Sequence, residues 1–599
     1  MHLVNRLIIA GLASAISILP AVGPASAAQL DMGRYIPISE IKSGMVGYCL
    51  TVLEGSKIER FELKVLSIVK NASPGRDMIL IHVTDPAFKD LGSVHGCSGS
   101  PVYIGNRLAG AMAAGWDGSI KALSLVRPIE DMLSISEKTS SSRDKPALLI
   151  SPSLLAEPIQ LEKLTKSILS TLASQYPLNS ELTLTTSLPE QTCQLIRSPF
   201  DTLGLKLLSG QTSGQSQDEQ IPASFQPGGV FAVPLCSGDI SIAVVGTATE
   251  VVGDKVYGFG HDFLGIGEVE LPVACGFVHT VVATNNTSFK FSSPGPILGT
   301  LRFDRTAGVI GFVGQQPKMI DLDINVRRFD DPQPRRYQCQ LAFERRYTPL
   351  VLQAVVAGAA LMQGPLPPEH HIRYNGTVVL SDSREINFEN ISADRSISDL
   401  VSELFALSAI LLNNPFEPMD IRSINVEVEL YPRSIQAGIW SVNLSDTTVE
   451  PGRTLTATVA LRGWRGEMTR HEIELAIPAD IPPGDYQLTI CGPEGYANFL
   501  RMTAPQQWTA VDADSLLNIL DRVLNLPGDR LYLVMPLPPS GLAIRNLELA
   551  DLPPSRINLL ADPKRILPYN PYHHWLQQSA RVGLVTQGGA NVKLTVEKP

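Results

Sequence analysis

The chain predicts a mainly β protein of several domains, and three observations carry that reading. Its 599 residues are too many for one ordinary domain and imply about three or four. The 47 glycines and 45 prolines mark frequent turns. Between those turns, apolar and polar residues alternate in short runs, the period of strands buried on one face. With 44% hydrophobic and 18% charged residues the composition is globular. A net charge of −10, with no basic patch interleaved with aromatics, argues against nucleic acid as a partner.

Residues 1–28 read as a secretory signal peptide: Arg6 precedes an apolar run, and an Ala-Ser-Ala stretch ends near Ala27 or Ala28. A secreted or periplasmic location follows as an expectation. The apolar run Leu350–Met362 is too short to span a bilayer and contains Gln353. Residues 29–135 form the first strand-rich segment. Within it, residues 44–70 read as two strands around a Glu54-Gly55 turn, with Phe61, Leu63 and Val65 alternating with Glu62 and Lys64. Met78–Val83 reads as a third strand, and residues 101–115 continue the sheet through a Gly105-Asn106 turn. Residues 136–224 read as a linker and mixed insertion, with mobile surface loops expected at the polar runs 136–146 and 209–220.

Strands return over 225–345, where GTATEVVGDKVYGFGHDF reads as strand, Gly253-Asp254 turn, strand, then a glycine-flanked histidine. Residues 346–423 are mixed and helical. Ser396–Asp399 opens an amphipathic helix with a capping-box start, and Asn413-Asn414-Pro415 ends it. Residues 424–505 carry short strands (INVEVELY, TLTATVALR, HEIELAI, YQLTI) with turns such as Pro451-Gly452 and Pro483-Gly484. That spacing predicts an immunoglobulin-like β-sandwich folding on its own. Residues 506–599 are Pro-rich and mixed.

The seven cysteines (Cys49, Cys97, Cys193, Cys236, Cys275, Cys339 and Cys491) contain no CxxC pair, so no metal site is expected, and no cofactor. The segment that bears chemistry is HGCSGSPVYIGNRLAG, His95–Gly110. Acyl transfer needs a nucleophile held clear of its own backbone and two N–H donors facing the developing oxyanion. Gly96 and Gly99 around Ser98 permit such a turn, with the amides of Gly96 and Ser98 as the oxyanion donors. A serine hydroxyl needs a base, and ten histidines are available. His573-His574 and His370-His371 sit beside prolines, His471 lies in the expected sandwich and His82 in a strand. His95 shares the turn with Ser98, where a neighbour is seldom oriented to take its proton. His261, in Gly258-Phe259-Gly260-His261, stands where a strand ends in a flexible turn.

GCSGSPVYIGNRLAGA together with VYGFGHDFLGIGEVELP resembles the SpoIVB-type sporulation serine peptidases, a chymotrypsin-like family. GMVGYCLTVLEGSKIERFELKVL and SFKFSSPGPILGTLRFDRTAGVIG are similar to neighbouring strands of that family. The resemblance covers roughly 40–135 and 225–320, and it implies a chymotrypsin-like double β-barrel assembled from the two segments. It also implies Ser98 as nucleophile, His261 as general base and Asp85, in His82-Val83-Thr84-Asp85, as the acid orienting the imidazole. Asp77, Asp90 and Asp262 are rivals for that last role, and Asp85-Pro86 is also an ordinary turn starter. Serine precedes histidine here, the reverse of the sporulation enzyme, so the motif order is permuted. The expected function is an exported serine endopeptidase cleaving proteins or peptides through an acyl-enzyme. The alternative is an inactive protease-like envelope scaffold, with the C-terminal sandwich binding an envelope protein. A third reading makes Cys97 the nucleophile.

Overall fold

A computed structural model of the chain describes residues 30–73, 75–88, 90–116, 118–137, 150, 152–155, 158–175, 182–211, 220–285, 288–393, 397–561 and 569–597. The expected signal peptide and most of both polar runs lie outside the described residues.

The first segment closes on itself. Its strands are β1 (Val46–Thr51), β2 (Glu59–Ser73), β3 (Arg76–Val83), β4 (Val94–His95), β5 (Pro101–Ile104), β6 (Arg107–Ala114) and β7 (Leu123–Pro128). Six of them pair in the order β1-β2-β3-β7-β6-β5, and β5 returns to β1, giving a closed barrel. The alternation in β2 does what its period requires: Phe61, Leu63 and Val65 are buried while Glu62 and Lys64 are exposed. The barrel core joins them to Ile79, Ile81 and Val126.

The second segment belongs to a 14-stranded sheet. It begins with a parallel pair, β8 (Leu182–Thr186) and β9 (Leu205–Ser209), drawn from the stretch read as linker and insertion. Then come β10 (Val230–Gly238), β11 (Ile242–Val252), β12 (Lys255–Gly258), β13 (Gly267–Val282), β14 (Ser288–Arg305) and β15 (Gly308–Val313). Their pairing runs β10-β13-β14-β15-β12-β11, and β11 pairs back to β10, so these six strands form a second ring. Beyond β10 the sheet extends through β16 (Met319–Arg328), β17 (Arg335–Ala342), β18 (His371–Leu380), β19 (Glu385–Ala393) and β20 (Ile421–Tyr431). The helix Thr348–Leu361, apolar after its first turns apart from Gln353, packs against the helix Ser398–Asn413. That second helix departs from the amphipathic expectation. It begins at Ser398 and buries most of its surface, because other elements cover it on several sides, while Ser396, the expected cap, lies outside the described residues. Among the described residues no helix is long and apolar enough to cross a membrane.

Two sheets share the C-terminal core. One runs β24 (Met468–Ala476), β23 (Thr454–Gly463), β21 (Gln436–Leu444), β29 (Val585–Gln587). The other runs β22 (Thr448–Val449), β30 (Gly589–Val596), β25 (Gly484–Cys491), β26 (Arg530–Ile544), β27 (Leu547–Leu549), with β28 (Tyr569–Arg581) also on β26. This corrects the expected unit at 424–505. Its first strand, β20, pairs with β16 and β18 in the large sheet. Its core is completed by Leu531, Leu533 and Leu594, from the region read as Pro-rich and mixed. Strand alternation names the buried face of a segment but not the strand it will pair with.

The relation that positions the site is a short parallel pairing between the two segments. Val94 and His95 of β4 lie beside Ser288 and Phe289 of β14. The serine turn therefore starts from a strand docked on the second ring.

Candidate active site

Two glycines make the turn possible. Gly96 has φ +100° and Gly99 φ +95°, a region that side-chain-bearing residues rarely enter. A Cβ at Gly99 would also lie 1.9 Å from the Thr247 carbonyl oxygen. Every carbonyl from Gly96 to Gly99 is held. Thr247 Oγ1 donates to the Gly96 oxygen (2.9 Å) and Thr249 Oγ1 to the Gly99 oxygen (2.7 Å). The amides of Ser100 and Thr247 donate to the oxygens of Cys97 (3.0 Å) and Ser98 (2.8 Å). The amides of Cys97 and Gly99 are spent on Val94 and Met112. The Ser98 amide has no backbone acceptor among the described residues. An oxyanion donor must be left in that state.

Ser98 and Gly96 open onto a cavity of about 370 Å³ between the barrel and the second ring. His261 lines the same cavity, as do His95, Thr183, Phe259, Phe289 and Lys290. His261 follows β12 on a constrained turn. Phe259 has φ +61°, a costly conformation for an aromatic residue, roughly 1–3 kcal/mol. Packing of its buried ring against Phe231 and Phe263 holds it there. The Nδ1–H of His261 donates to the Asp262 carbonyl at 2.6 Å. A carbonyl can only accept, so Nδ1 carries the proton and, in the neutral ring, Nε2 keeps the lone pair a base needs. Burial pulls the imidazole below its ordinary pKa of 6.5, against the opposing pull of the Asp262 carbonyl and carboxylate.

Asp304 of β14 organises this loop. Its carboxylate is 1% exposed and accepts from the amides of Phe263 (2.6 Å), Leu264 (2.8 Å) and Ile266 (3.3 Å). Desolvation raises its pKa, and the three amides counter that rise. Arg127, also buried, donates to the Gly260 carbonyl at 3.3 Å from the barrel side.

The structure brings Ser98, Gly96 and His261 to one cavity. No hydrogen bond joins Ser98 to His261, a spacing common before substrate closes an active site. Asp85 is not among the cavity's lining residues. Its carboxylate accepts from the Ala87 amide at 3.0 Å, as a turn starter does. Of its rivals, Asp77 pairs with Lys70 at 2.6 Å, Asp90 is exposed, and Asp262 adjoins the histidine. The Cys97 side chain packs in the barrel core, away from the cavity. Sequence reasoning missed Asp304, Lys290, Thr247 and Thr183. Lys290 and Asp304 lie in the segment SFKFSSPGPILGTLRFDRTAGVIG, but nothing local marks either as part of a site.

A serine on a glycine turn and a histidine with an unprotonated Nε2 thus line one cleft of a mainly β scaffold. Residues 29–115, which hold the strands β1 to β6 and the serine turn, match the family described as SpoIVB peptidase S55. The match bears out the family resemblance and ends before His261. No curated protein and no solved structure matches the chain.

Proposed function

We propose that the chain is an exported serine endopeptidase acting through an acyl-enzyme, with Ser98 as nucleophile and His261 as base. The observation that carries this reading is that two segments far apart in sequence line one cavity with these two side chains. The closed barrel and the second six-stranded ring are read as the two halves of a chymotrypsin-like unit in permuted order. The export reading rests on residues 1–28 alone.

In the proposed reaction Ser98 Oγ attacks the scissile carbonyl as His261 Nε2 takes its proton. The Ser98 and Gly96 amides receive the oxyanion, and the imidazolium then protonates the leaving amine. Water repeats the sequence to release the acyl group. The Asp262 carbonyl, held in place by Asp304, takes over the orienting role that the resemblance gives to Asp85.

The scaffold reading draws on the missing Ser98–His261 hydrogen bond and on a carbonyl standing where a carboxylate is expected. The two-sheet C-terminal unit would then be its binding module for an envelope protein. An alkyl fluorophosphonate separates the readings. The peptidase is expected to be labelled at Ser98 and not in Ser98→Ala, whereas a scaffold is labelled in neither.

A further inference from the structure

We propose that Lys290 is a positioning residue for the serine turn, acting on Ser98 through Thr51 and Thr247; this rests on the peptidase reading above. Lys290 lies on β14 and is 2% exposed. Its Nζ donates to Thr51 Oγ1 of the first barrel (2.9 Å) and to Thr247 Oγ1 of the second ring (3.3 Å). One amino group thus ties the two segments together beside the serine turn. Its stem fills the space beside Gly96, where an added Cβ would lie 2.9 Å from Lys290 Cδ.

The consequence for the turn follows from the hydrogen-bond inventory of a hydroxyl. Thr247 Oγ1 has one proton, and an oxygen that accepts from lysine must spend that proton elsewhere. It goes to the Gly96 carbonyl, at 2.9 Å. The amide of the same Thr247 holds the Ser98 carbonyl at 2.8 Å. Lys290, together with Ser100 Oγ, which donates to the same oxygen at 3.5 Å, therefore sets the rotor of the residue that grips the turn on both sides of Cys97. That grip keeps the Ser98 amide free to face an oxyanion.

Packing alone does not account for a lysine here. Among the described residues no carboxylate pairs with it, and the ionisable groups acting on it are the buried thiols of Cys97 and Cys49. Burial pushes its amine below the ordinary lysine value. An apolar side chain of similar length would fill the space without that desolvation, and such exchanges are often neutral or stabilising. Activity gained at the expense of stability is the usual mark of a functional position.

The test measures fluorophosphonate labelling of Ser98 and thermal unfolding in the full chain. Lys290→Met is expected to slow the labelling step about 100-fold, the scale of a small misplacement at a reacting centre. The probe's binding constant should be unchanged, and the unfolding temperature should equal or exceed that of the wild type. Thr247→Val should reproduce the loss and Thr247→Ser, which keeps the hydroxyl, should rescue it. The Lys290→Met/Thr247→Val double variant should be no slower than either single variant, because the two act as one unit. Should Lys290→Met not fold, the Thr247 pair decides, and equal labelling of its Val and Ser forms overturns the proposal. Labelling of Lys290→Met at the wild-type rate also overturns it, leaving the peptidase reading intact. A wild type that never labels at Ser98 overturns the peptidase reading, and the proposal with it.

Discussion

The Thr247 amide donates to the carbonyl of Ser98 at 2.8 Å, so the serine is held by a strand from the other segment of the molecule. Neither segment alone contains a site. In the proposed reading the barrel supplies the nucleophile, and the second ring supplies the histidine, the loop that orients it and the residues that grip the turn.

Removing either partner of the reaction should therefore remove nearly all of it. Ser98→Ala and His261→Ala are each expected to lower peptide hydrolysis by about 10⁴-fold or more, with the double variant little worse, since such residues act as a unit. Steady-state kinetics on a fluorogenic peptide would check this, and additive losses would separate the two residues.

The pH profile follows from the lowered imidazole value. Because burial holds His261 below 6.5, the neutral ring predominates at that pH, and reactivity should fall as pH drops through the lower native value. Stability moves in the same direction. The unfolded chain takes up the proton first, so the contribution of the neutral native ring is present above 6.5 and is lost as pH falls below it. Labelling rates across the acid range, with His261 followed by NMR, would check the sign. An acid limb centred above 6.5 contradicts it.

Asp304→Asn is expected to cost roughly 3 kcal/mol, because one oxygen is replaced by an NH₂ group facing amides that also donate. The loop carrying Asp262 should loosen and the labelling of Ser98 should slow. Chemical denaturation together with labelling kinetics would show both effects, and a variant with unchanged midpoint and rate would leave Asp304 without a role.

Asp85→Asn should be nearly silent. Asparagine retains the oxygen that accepts from Ala87, and His261 Nδ1 is already bonded to the Asp262 carbonyl. A large fall in hydrolysis, with the fold intact, would restore Asp85 to the site.

What was legible in the sequence was what neighbouring residues determine. The positive φ angles of Gly96 and Gly99 are local demands, so the serine turn could be read from its glycines. The glycine-flanked His261 and the alternation of Phe61, Leu63 and Val65 were open to the same reasoning. Lys290 was not, because its partners Thr51 and Thr247 come from two other strands. Asp304 was hidden for a related reason: it binds backbone amides, which any residues at 263, 264 and 266 would offer. Thr183, which meets His95 Nδ1 at 3.1 Å in the cavity wall, belongs to a stretch read as linker, because the parallel pairing of β8 with β9 leaves no turn signature. Pairing partners also decided the fate of β20, whose own alternation suits a sandwich or the large sheet equally well.

The arrangement has a consequence for the order in which the chain is made. The barrel closes with strands that end at Pro128, while Thr247, Thr249, His261 and Lys290 all come later. A ribosome that has released only the first barrel has released a serine with no base and with a turn whose Gly96, Ser98 and Gly99 carbonyls are not yet gripped. If Ser98 and His261 act as proposed, such a nascent chain is chemically silent until β14 docks beside β4. On the proposed reading, synthesis itself then delays the onset of hydrolysis.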